Sequence, residues 1–157
     1  MIPALLELTD ALLAETQASR STIRLDTAVA RAALLAESLA PGVRPMVPSS
    51  VADILAAPTY QFLLRERRLL IQRDCRIESP APPRSLIDQD RVWAQMLAPV
   101  LERECLLGVI SVHVQGSVRD WSPADLSALC MTQDLVSRWC REHRDELGVI
   151  TPTEGQG

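Results

Sequence analysis

The chain has 157 residues and 17.3 kDa, is 47% hydrophobic and 23% charged, and carries a formal net charge of −4. A chain of this length makes about one domain that can bury roughly 70% of its unfolded surface, and its apolar share argues against disorder. All sixteen basic residues are Arg, so no Lys is present to form a Schiff base or a Walker-type phosphate contact.

The first fifteen residues, MIPALLELTDALLAE, carry three acids and no basic residue. That is the reverse of a signal peptide, and no run reaches the length of a membrane span, so a soluble, cytoplasmic protein is expected. Leu5, Leu8 and Leu12 recur at helical spacing and predict a helix over 3–16. Residues 19–26 then alternate, with Arg20, Thr22, Arg24 and Asp26 on one face of a half-buried strand. The Ala-rich stretch 28–39 favours helix by propensity and ends at Pro41-Gly42. Prolines and serines make 45–58 a loop with a turn of helix at 51–55. Helix is predicted over 59–68, a short strand over 69–72, and a proline-rich surface loop over 79–84.

Residues 92–101 and 106–114 are strand candidates joined by Glu102–Cys105, which makes an antiparallel hairpin. Matching their apolar faces gathers Trp93, Gln95, Ser111 and His113 on the second face. Ser122 as N-cap, Pro123 at N1 and Asp125 at N3 start a helix that runs to about Leu147, before Gly148. Its stripe Leu126, Leu129, Cys130, Val136 and Cys140 is extended by Leu135 and Trp139 to a second apolar face. The tail after Ile150 reads as disordered. The whole is an α+β single domain over 1–150, with helices on one sheet face and a tail over 151–157.

Five aromatics, Tyr60, Phe62, Trp93, Trp121 and Trp139, cannot build a stacking platform, and the acidic balance disfavours nucleic acid. Two histidines, His113 and His143, do not make a metal site. Cys75, Cys105, Cys130 and Cys140 lack CxxC spacing and are expected as reduced, inert thiols; Cys130 and Cys140 read as core, and Cys75 and Cys105 lie where exposure is allowed. The all-Arg usage has two readings, anion recognition or biased codon usage on a solvated surface.

Several stretches taken together resemble the GAF domain family: SRSTIRLD (19–26), ESLAPGV (37–43), APTYQFLLRERRLL (57–70), AQMLAPV (94–100), and LGVISVHV (107–114) followed by Arg119-Asp120-Trp121-Ser122. The similarity covers most of residues 3–147, and small stand-alone bacterial GAF proteins are the nearest type. It implies a central antiparallel sheet with the first and last helices on one face and a small-molecule pocket under loops on the other. It also implies that 28–39 is partly strand. Family ligands include cyclic nucleotides, tetrapyrroles, haem and varied metabolites, so no cofactor is named by the resemblance. The bilin-attachment cysteine, the NKxxE signature of cyclic-nucleotide binders and the cysteine contexts of free methionine sulfoxide reductases are all missing.

On this reading the pocket floor holds Thr22 or Arg24, Gln95, Ser111 and His113, and its walls hold Tyr60, Leu64, Arg67, Cys75, Arg91 and Trp93. Arg24 suits a carboxylate or phosphate, and His113 suits donation or proton exchange near neutral pH. For each a structural role stands beside the functional one: a cross-strand ion pair for Arg24, a bond to Ser111 or Gln95 for His113. Three functions remain open. One is a sensor or regulatory module that binds a small anionic or aromatic metabolite and dimerises through its terminal helices. Another is an enzyme using Cys75 or His113 for redox or acid–base work. The last is an interaction domain with a filled interior.

Overall fold

A computed structural model describes residues 1–46 and 50–148. The chain runs α1 (Pro3–Thr16), β1 (Arg20–Leu25), β2 (Ala33–Leu39), α2 (Val51–Ala56), α3 (Pro58–Glu66), β3 (Leu70–Gln72), α4 (Arg84–Asp88), β4 (Val92–Glu102), β5 (Cys105–Gln115), α5 (Pro123–Glu142) and α6 (Arg144–Leu147). The strands form one five-stranded sheet in the order β2-β1-β5-β4-β3, antiparallel at every pairing.

Alternation decides which side chains meet. Ile23, Met96, Ile110 and Val112 point to one face, where they meet Leu5 and Leu12 of α1 and Leu129 and Val136 of α5 in the main core. α1 presents this stripe because Leu5, Thr9, Leu12 and Thr16 recur at helical spacing, and it stops where Gln17 turns left-handed at φ 50°. α5 starts as its sequence signals, with Ser122 and Asp125 completing a reciprocal capping box and Pro123 in the first turn. On the opposite sheet face Leu70, Leu97 and Val109 form a small apolar cluster with Leu63 of α3, and it is this face that α2, α3 and α4 cover.

Several expectations are corrected. Propensity favoured helix over 28–39, but Ala33–Leu39 is strand β2, as the family resemblance implied. Ala36 and Ser38 bury under α1, and the Ser38 hydroxyl bonds Thr9 Oγ1 at 2.7 Å; the waiting edge of β1 outweighs alanine's small helical preference. The hairpin link is two residues rather than four, because Arg103 and Glu104 both adopt positive φ (47° and 69°) and let Glu102 pair Cys105. The last helix breaks at His143, whose ring stacks on Trp139 with centroids 4.4 Å apart, and a short α6 then reaches Gly148 at φ 59°. Cys130, expected in the core, is exposed, whereas Cys75 is buried; Cys140 is buried and Cys105 exposed. The tail expected over 151–157 lies outside the described residues.

Candidate functional site

Between the sheet face of β1, β4 and β5 and the covering segments lies a cavity that encloses about 60 Å³. With its open mouth counted, the atom-free space reaches about 550 Å³. The floor comes from register: Thr22 stands opposite Ser111, Arg24 opposite Val109, and Gln95 opposite His113. All six of these side chains line the cavity. Above them, Ile54 of α2, Thr59, Tyr60 and Leu63 of α3, and Leu86 of α4 close the space. The walls are mainly apolar, with a few converging polar groups, which is the usual make-up of a small-molecule site.

His113 decides the electrostatics. It is 2% exposed and its Nδ1 lies 3.4 Å from Nη1 of Arg20, its direct cross-strand neighbour. Burial, then the Arg20 charge, then that of Arg24 push its pKa down to about 3. Arg20 is itself fully buried; burial lowers its pKa, and Asp90 and Glu37, at 3.8 and 3.5 Å, partly restore it. Its Nη2 also donates to the Arg44 carbonyl at 2.9 Å. Arg24 donates to the Ala32 carbonyl at 2.9 Å, and burial, opposed by Glu37, lowers its pKa as well. Two hydroxyls at the cavity are buried: Thr22 Oγ1, which makes no hydrogen bond, and Tyr60 OH, whose polar neighbour is Arg31. Burial pushes the Tyr60 phenol up, Asp26 adds to this, and Arg31 opposes both.

Thr22, Arg24, Tyr60, Gln95, Ser111 and His113 all line this one cavity. Arg67, Arg91, Trp93, Leu64 and Cys75 do not line it. Arg67 caps α3 at φ 52° and reaches Glu104 at 3.7 Å. Trp93 is the unpaired residue of a β-bulge, since Val92 pairs Gln115 while Ala94 pairs Val114. The guanidiniums of Arg76 and Arg91 lie over its ring, at 4.0 Å and 5.4 Å from the centroid. Cys75 faces Gln72 Oε1 at 3.7 Å, and burial, then Glu78 and Asp74, push its thiol up to about 12. Burial thus favours the protonated thiol at Cys75 and the neutral ring at His113. Among the described residues no group of three or more His, Cys, Asp or Glu is placed to hold a metal ion.

Sequence reasoning missed Arg20 and Glu37. Arg20 carried a signal, since alternation set it on the face of Thr22 and Arg24. Glu37 carried none while its segment read as helix. The apolar cover (Met46, Ile54, Leu63, Pro83, Leu86) comes from short elements with too few turns to show a period.

The comparisons bear on the fold. The chain matches the photoproduct-state structure of GAF3 from Slr1393 of Synechocystis sp. PCC6803 at a TM-score of 0.71, with 15% identity over 90% of this chain and 96% of that one. The chain has a GAF fold. A GAF domain from an Acinetobacter phosphoenolpyruvate-protein phosphotransferase matches at 0.70, with 16% identity over 90% of this chain and 82% of that one. The blue-light-absorbing form of the Thermosynechococcus elongatus PixJ GAF domain matches at 0.65, with 13% identity over 93% and 90%. No protein-family model and no curated protein matches the GAF-fold chain in sequence. Among its described residues no helix is long and apolar enough to cross a membrane.

Proposed function

We propose that this GAF-fold chain is a small-molecule-binding sensor or regulatory domain that works in the cytoplasm without catalysis. The observation that carries the reading is the buried hydroxyl of Thr22, which makes no hydrogen bond and stands on the floor of an apolar-walled cavity. A buried hydroxyl without a partner costs about 1–3 kcal/mol, and a bound ligand recovers it. Of the two ligand kinds the sequence left open, the charge balance favours the aromatic one. Arg20 and Arg24 already face Glu37 and Asp90, so an added anion enters a site with no spare cation. The enclosed volume holds roughly four to six water-sized atoms, which suits one edge of a small ring, with the rest in the mouth.

The fold supports this reading without naming a ligand, because one fold hosts many functions. The test is native mass spectrometry of the purified chain followed by a thermal-shift screen of small metabolites. A retained or stabilising compound is expected, since a ligand at 100 times its Kd adds about 2.7 kcal/mol. Ser111→Leu, which fills the floor, should abolish the shift while the protein stays folded. A flat screen for the wild-type chain would sink the proposal.

A further inference from the structure

We propose that Arg20 is a positioning residue that fixes His113 as a permanent hydrogen-bond donor, so that the cavity selects a ligand presenting an uncharged carbonyl oxygen. The inference rests on the binding reading above and adds the chemical class of the ligand.

A guanidinium has five N–H donors and no acceptor. The contact between Arg20 Nη1 and His113 Nδ1 is therefore a hydrogen bond only if Nδ1 accepts. A neutral imidazole has one donor and one acceptor nitrogen, so its proton sits on Nε2. Arg20 cannot swing away to release this choice. It is fully buried and held by Glu37 and the Arg44 carbonyl from β2 and the stretch after it, and by Asp90 before β4. The groups that face the imidazole from the packed elements are Arg20 and Arg24, both cationic, and neither admits a second proton on the ring.

The polar end of the cavity is thus rich in donors. Arg24 can only donate, His113 offers Nε2–H, the Thr22 hydroxyl has an unused proton, and Tyr60, with Arg31 beside its oxygen, has its own proton to give. Ser111 and Gln95, whose amide N–H goes to Gln72 Oε1, add the acceptors of the floor. An oxygen with two lone pairs is the group that satisfies such a set. A carboxylate offers lone pairs too, but it brings a charge into a site where Arg20 and Arg24 are already balanced by Glu37 and Asp90. A ketone, lactam or ring carbonyl brings none, and its apolar body fits against Leu63, Leu97 and Val109.

Two measurements on the full chain test this. The first is nitrogen-15 NMR of the imidazoles. The chain has two histidines, so His143→Gln leaves the His113 ring alone in the spectrum. A protonated Nε2 and a bare Nδ1, unchanged from about pH 8 to about pH 5, are expected. A ring protonated at Nδ1, or one that titrates in that range, overturns the inference. Arg20→Met should mix the tautomers; if that variant does not fold, Arg20→Gln, whose amide can accept as well as donate, is the substitute. Retention of a pure Nε2–H form in the folded variant would remove Arg20 from the argument.

The second is ligand-observed NMR with acetophenone, benzoate and toluene, three ring probes that differ in the oxygen group. Acetophenone should bind best, toluene about five- to tenfold more weakly, and benzoate more weakly than acetophenone. His113→Gln, which retains a donor, should keep acetophenone binding within about threefold; His113→Leu should lose about tenfold. Equal binding of all three probes, or preference for benzoate, rejects the carbonyl class while leaving the cavity a binding site. Binding of none of them, with the metabolite screen also flat, rejects both readings together.

Discussion

His113 couples acid to stability with a definite sign. Its pKa is about 3 in the folded chain and near the ordinary 6.5 once unfolded, so below 6.5 the unfolded chain binds the extra proton. Stability should be lost as pH falls from about 6.5 towards about 3, by up to ~1.4 kcal/mol per pH unit from this residue. Urea midpoints at about pH 6.5 and about pH 5, above the carboxylate range, isolate the effect; His113→Gln should flatten the slope there, and parallel slopes would refute it. The thiols give a second expectation. Cys105 and Cys130 are exposed, whereas Cys75 and Cys140 are buried with pKa values pushed up to about 12 and about 11. A thiol reagent at neutral pH should label two cysteines quickly and the other two only on unfolding; fast labelling of Cys75 would revive a nucleophilic role. At this scale the sequence was legible wherever strict alternation held, at Thr22, Arg24, Gln95, Ser111 and His113. It misled at Trp93, because one bulged residue has no signature in a run that is apolar on both sides.

Strand pairing depends at one point on the absence of a side chain. Gly108 of β5 lies opposite Leu25, and a Cβ there would stand 2.0 Å from the Arg24 carbonyl oxygen and 2.9 Å from its carbonyl carbon. Both are backbone atoms that cannot move without opening the β1–β5 pairing. Gly108→Ala should therefore cost about 3 kcal/mol or more, at the upper end for overpacking, and should loosen the cavity by displacing Arg24. A change in the urea midpoint worth less than about 1 kcal/mol would show that the strands can part cheaply. The hairpin, the capped start of α5 and α1 were all legible because each is specified locally, by alternation, by Ser122-Pro123-Asp125, or by helical spacing. The Ala-rich β2 was not legible from propensity, since its strand state comes from β1 beside it and α1 above it, both distant in sequence.

Across the whole molecule the sheet separates two surfaces with different tasks. The cavity lies on one face and the α1–α5 pair on the other, and Thr22 and Ser111 at the cavity alternate along their strands with Ile23, Ile110 and Val112 beneath the helices. The helix pair keeps apolar side chains outward. Trp139, expected beside Leu135 on a second apolar face of α5, is buried in the core instead; Met131 (66% exposed) and Leu135 (37%), one turn apart, are the pair we propose as the contact of a homodimer. We expect light scattering at micromolar concentration to give twice the 17.3 kDa chain mass. Met131→Glu combined with Leu135→Glu should return a single-chain mass, because two charges on each copy meet across a two-fold contact where like charges cannot be desolvated cheaply. Both positions are solvent-exposed in the single chain, so the double variant should keep its thermal midpoint measured at dilution within a few degrees. A wild-type chain that scatters as a monomer ends the dimer proposal. A double variant that remains dimeric moves the contact to another surface.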